Sequence, residues 1–155
     1  MVKLNRFHVF AALTCVYAAF IFYLSSVSSL PCPSDLGFLY GLVQFLDEVG
    51  LKPLAYLFYP VYRYPDKFAH VLLYLGFGLL LNRTFNSSEN GVLSKYTLPF
   101  AISIGTLYAV TDEFHQAFVA YRTASSMDVF ADFIGLLIAQ LLILIYFGIK
   151  KSLKP

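Results

Sequence analysis

Long runs without charge alternate with short polar punctuation along this chain, and the runs have the length of membrane spans. Arg6 and Asp35 bracket 28 uncharged residues, within which Phe7 to Leu24 is apolar enough to cross a bilayer. Phe68 to Asn82 is a second charge-free run, bounded by Lys67 and Arg83. Tyr96 to Thr111, bounded by Lys95 and Asp112, is a third, and Phe133 to Ile149, bounded by Asp132 and Lys150, a fourth. Backbone groups in lipid must bond within their own segment, so each run predicts a helix. Period-two patterning is absent, which argues against a barrel. The expected fold is an all-α membrane protein, a four-transmembrane-helix bundle in one domain over 1–155. Its spans are expected at about 7–27, 67–85, 96–118 and 128–149. Pro99 falls in the first turns of the third helix, where a missing N–H is tolerated.

Residues 30–65 form the one long connection, and it is not polar. Phe38 to Leu46 is apolar, Asp47 and Glu48 interrupt it, and Tyr56, Tyr59, Tyr62 and Tyr64 follow. Tyrosines favour the membrane interface. The pattern predicts an interfacial helical segment between helices 1 and 2, on or dipping into the outer leaflet, with Pro53, Pro60 and Pro65 as punctuation. The stretch from Leu36 to Tyr64 is expected to roof whatever lies beneath it. The turn from Asn86 to Gly91 reads as an ordinary polar loop.

Composition narrows the class. Of 155 residues, 59% are hydrophobic and only 13% charged, about half the charged share of a soluble domain. A net charge of +2 with no basic stripe leaves no case for nucleic acid. Cys15 and Cys32 make no disulfide framework or metal pattern. They read as a buried small residue and a loop thiol. A signal peptide cleaved near Val27 and Ser29 is the alternative reading of the first run. Lys3, Arg6, Arg83, Lys95, Lys150, Lys151 and Lys154 share one side of the predicted membrane with a single acid, Glu89. The other side carries four basic and eight acidic residues. The positive-inside rule then puts both termini in the cytoplasm, in a multi-pass protein of the cytoplasmic (inner) membrane.

Depth measured from the inner basic anchors exposes a polar layer. At 1.5 Å per residue, Lys67 lies roughly 24 Å from Arg83, Asp112 roughly 26 Å from Lys95, and Asp132 roughly 27 Å from Lys150. Three helices thus carry ionisable groups to one level near the outer boundary, where burying a charge in lipid costs about 2.5–3.5 kcal/mol. Asp66 and His70, Asp112 and Gln116, and Asp128 and Asp132 are each four apart, so each pair shares a helical face. Lys67 and Glu113 adjoin these faces, Tyr74 stacks one turn below His70, and Arg122 sits in the turn above. Asp66 and Asp128 also suit helix caps, Lys67 a snorkelling anchor, Arg122 a surface charge, and His115 the interface. Asp132 is expected to be the deepest acid of the fourth helix. A layer that merely plugs the bundle is the structural alternative.

The string Asp66-Lys67-x-x-His70-x-x-x-Tyr74-x-Gly76, then Asp112-Glu113-x-His115-Gln116-x-Phe118-x-x-x-Arg122, then Asp128-x-x-x-Asp132-x-x-Gly135, resembles the VanZ-like family. The Ser25-Ser26 pair closing the first helix fits as well. Two positions depart: Asp132 stands where the family commonly has Asn, and Tyr121 precedes Arg122 where Gly is common. The resemblance implies a small multi-pass bacterial or archaeal membrane protein whose name-giving member is linked to resistance against the lipid-tailed glycopeptide teicoplanin. It brings no agreed chemistry with it.

Two functions compete on these residues. In the first, an enzyme acts on a lipid-linked or amphiphilic substrate in the outer leaflet. Asp66, Lys67, His70, Asp112, Glu113, Gln116 and Asp128 are its candidate catalytic groups, with Arg122, Tyr74 and Asp132 binding substrate. A histidine beside carboxylates suits proton transfer, and Lys67 and Arg122 suit an anionic head. A divalent metal is compatible: carboxylates suit Mg²⁺ or Mn²⁺, and a His with carboxylates suits Zn²⁺. In the second, the same layer only binds a lipid head group, a lipoglycopeptide or a partner protein. A lipid carrier is a third reading, and it would call for a homo-oligomer, since four spans are few.

Overall fold

The computed structural model describes residues 5–28 and 37–153. Cys32, Lys3, Lys154 and the beginning of the 30–65 connection fall outside them. Seven helices follow in order: α1 (Arg6–Ser26), α2 (Gly37–Glu48), α3 (Lys52–Arg63), α4 (Pro65–Asn86), α5 (Gly91–Lys95), α6 (Thr97–Gln116) and α7 (Ser126–Ser152). Their starts are chemically marked. The Asn5 side chain accepts from the Phe7 N–H, Pro65 opens α4, and Ser125 accepts from the Met127 N–H.

Among the described residues, α1, α4 and α7 are long and apolar enough to cross a membrane. At 20 residues α6 has the length, about 30 Å, but Asp112, Glu113, His115 and Gln116 crowd its last turn and dilute its apolar stretch. The α7 helix is longer than expected, 27 residues or about 40 Å, and carries Lys150 and Lys151 beyond a 30 Å core. The polar turn expected from Asn86 to Gly91 leads directly into α5, whose Val92 and Leu93 N–H donate to the Asn90 side chain.

The helices run up and down. The Asn5 amide donates to Glu89 at one end, while at the other Arg122 bonds the last carbonyls of α1 and Lys67 meets Asp128. Both described chain ends therefore lie opposite the acid layer. The α4 helix is central and packs on α1, α6 and α7, most extensively on α7. Gly135 makes that last approach possible: a Cβ there would lie 2.9 Å from the Leu75 nitrogen and 3.2 Å from the Tyr74 carbonyl carbon. Thr14, Tyr17, Ala18, Ile21 and Ser25 form the inward stripe of α1 at helical spacing. Cys15 lies about 100° off that stripe and is exposed, which corrects its expected burial.

The α2 and α3 helices pack on each other, and of the bundle helices they touch only α4, through α3. A left-handed Gly50 (φ +80°) closes α2, with Leu51 N–H on Leu46 O at 2.8 Å and Gly50 N–H on Asp47 O at 3.1 Å. Among the described residues neither helix reaches α1, α6 or α7. At 12 residues each, about 18 Å, they are too short to span.

Candidate functional site

The acid layer sits where the first turns of α4 and α7 meet the last turn of α6. Lys67 is ion-paired with Asp128 of α7 and with Asp66 at 3.1 Å. Asp66 is well exposed and marks the mouth, whereas Asp128 is buried. One turn deeper, His70 Nδ1 lies 2.9 Å from Asp132 Oδ1. Asp132 is wholly buried, the deepest acid of α7, because Gly135 lets α7 press against α4 just below it. The Asp132–His70 bond fixes the imidazole ring, and with Nδ1–H donated to the carboxylate the Nε2 lone pair is left free.

On α6, Gln116 Nε2 donates to Asp112 Oδ2 at 3.4 Å, and Ser25 of α1 lies against the same carboxylate. Glu113 Oε2 accepts the Ser125 N–H at 2.7 Å, tying α6 to the start of α7. Among the described residues, Glu113 Oε1 and Asp132 Oδ2 are buried carboxylate oxygens without a partner, whereas Asp112 has the Ser25 hydroxyl beside it. Tyr74, 1% exposed, also has an unpartnered hydroxyl, in the field of Asp132 and Asp112. Buried polar atoms normally find partners, so three in one layer indicate a site that receives something.

Arg122 stands apart from the acids. Its Nε and an Nη donate to Val27 O and Leu24 O, both at 3.1 Å, and cap α1. His115 packs on Phe22, ring centroids 4.4 Å apart. A groove of about 290 Å³ opens between α6 and α7 beside Glu113, lined among others by Val110, Phe114, Ala117, Val129 and Ser125. It is mostly apolar, with Glu113 as its acid.

The layer thus joins Lys67, His70, Asp112, Glu113, Gln116, Asp128 and Asp132 across three helices, with Asp66 at its edge and Tyr74 at its base. Sequence reasoning missed a second polar contact deeper in the bundle. Asn82 donates to Gln140 Oε1 at 2.7 Å, and Gln140 donates to Gly78 O at 3.2 Å. The signal was present: Gln140 is the one strongly polar side chain between Phe133 and Ile149.

Fold and site define a small helical integral membrane protein with an acid-rich polar layer buried at one end of its bundle. The chain belongs to the VanZ/LLP1 family, whose pattern it matches over residues 9–147. No curated protein and no solved structure matches it.

Proposed function

We propose that the acid layer is an active site for the polar head of an amphiphile held in the outer leaflet, with α6 as the fourth span and both termini in the cytoplasm. The observation that carries this reading is the set of unpartnered buried oxygens on Tyr74, Glu113 and Asp132 beside a lateral groove. A structural plug would pair its own charges, because an unpaired buried carboxylate is costly.

The groove between α6 and α7 lets chains remain in lipid while the head reaches Glu113. Asp132 holds His70 so that its Nε2 lone pair faces the chemistry. Lys67 stabilises negative charge developing on the head, as ammonium groups do at phosphoryl and oxyanion centres. Two of the five N–H donors of Arg122 are used on α1, and the others can meet a phosphate or sugar at headgroup level. The α2–α3 hairpin lies in the interface, with exposed Tyr40, Tyr56 and Tyr59 at the lipid boundary. Lipoglycopeptide resistance fits the same site, since such a drug has a sugar-bearing head and a lipid tail.

Asp112→Asn tests the reading, because it is nearly isosteric and keeps the Gln116 contact. It is expected to fold and insert normally yet lose lipid turnover or resistance. Full activity in this variant would return the layer to a structural role.

A further inference from the structure

The layer holds more buried carboxyl groups than its own cations reach. Asp112, Glu113, Asp128 and Asp132 are all at most 7% exposed. Lys67 reaches only Asp128 and the exposed Asp66 among the described ion pairs, and His70 reaches Asp132. Glu113, 4% exposed, is left with a free oxygen. One ligand atom from each of His70, Glu113 and Asp128 lies within 4.8 Å of the others, although the residues come from three helices.

We propose that His70, Glu113 and Asp128 form a divalent-cation site of the Zn²⁺ or Mn²⁺ class. One neutral imidazole with two carboxylates matches the preferences of both ions. The second shell is in place as well. Asp132 accepts the imidazole N–H, which orients the ring, and the Ser125 N–H donates to one oxygen of Glu113 and holds that side chain in place. A tetrahedral ion with ligands at about 2.0–2.2 Å sets ligand atoms about 3.4 Å apart, so a side-chain adjustment of about 1 Å closes the triangle. Three protein ligands leave a fourth position open for water or an oxygen of a bound head group, the arrangement of catalytic rather than structural sites. The Lys67 ammonium holds Asp128 and competes with the ion, so loading moves Lys67 toward Asp66. The ion is held whether or not an amphiphile is present, and its role in turnover rests on the function proposed above.

The test uses purified, tag-free protein in detergent, stripped with chelator and titrated separately with Zn²⁺ and Mn²⁺. Calorimetry and the melting temperature are the readouts, with elemental analysis of unstripped protein beside them. The expected result is one ion per chain and a raised melting temperature. His70→Ala and Glu113→Gln should each weaken binding by more than about 100-fold, beyond the range of second-shell changes. Lys67→Met should tighten it, and the exposed Asp66→Asn should alter it least. No binding of either ion to stripped wild type, or equal affinity in wild type and Glu113→Gln, overturns the proposal. Should the ligand variants fail to fold, wild type against Lys67→Met decides: unchanged or weaker binding in the latter also overturns it. Metal binding without any lipid conversion would leave the site standing and remove the enzymatic reading.

Discussion

Gly135→Ala puts one methyl group where α7 crosses α4. Its nearest neighbours would be backbone atoms: Val71 O, Leu75 N at 2.9 Å and Tyr74 C at 3.2 Å. No side-chain rotation can relieve contacts with backbone. Ordinary Cβ contacts begin near 3.4 Å, so the helices must part by at least about 0.5 Å at Leu75 and by more at Val71. Overpacking of this kind costs about 1–3 kcal/mol, and the rigidity of both partners places it near about 3. Alanine regains up to about 1 kcal/mol of helix propensity, leaving a net loss of about 2. Gly148→Ala on the same helix meets nothing within 4 Å and should keep the propensity gain, so the two variants should differ in sign. Equilibrium unfolding in mixed micelles, followed by far-UV circular dichroism, measures both. Gly135 lies three residues from Asp132, and Val71 follows His70, so the Gly135→Ala protein should also lose activity. A Gly135→Ala protein as stable as wild type would refute the close crossing and the depth assigned to Asp132.

Three further outcomes follow from single features. Tyr121 adopts φ 63° and is 96% exposed, so Tyr121→Gly should stabilise the α6–α7 turn by about 1 kcal/mol in the same unfolding assay. A double-mutant cycle on Asn82→Leu and Gln140→Leu should give a coupling of about 0.6 kcal/mol and no more than about 1.7, the average and the maximum for polar contacts between membrane helices. Cysteines at Tyr56 and Tyr59 should label well with lipid-soluble probes and poorly from water, and rapid aqueous labelling would remove α2–α3 from the interface.

Charge made the fold legible. Lys67, Arg83, Lys95, Asp112, Asp132 and Lys150 bound the apolar runs because charges are expensive in lipid, and the helices begin or end within a few residues of where those charges place them. The i, i+4 pairs then identified the faces that meet, because α-helical spacing leaves no other arrangement. Pairing within the layer was less accessible. That Lys67 meets Asp128, and His70 meets Asp132, depends on the height at which α4 crosses α7, which Gly135 sets through backbone contact. Arg122 read as a headgroup ligand because it sits in the turn above the acid layer, whereas in the structure two of its donors cap α1, 95 residues away. Tyr121 is instructive in another way: it adopts a left-handed backbone that glycine would take without strain, and nothing in its residue type signals it. Apolar composition places α2–α3 near lipid but does not choose between covering the site and lying beside it.

On the function proposed above, the buried acid layer transforms the head of an outer-leaflet amphiphile. Its most direct measurement is mass spectrometry of membrane lipid extract incubated with purified wild-type and Asp112→Asn protein, each with and without added Zn²⁺ or Mn²⁺. The account predicts at least one lipid or lipid-linked species whose head-group mass changes with wild type and stays constant with the variant. Identical lipid profiles for the two proteins under every metal condition would contradict it.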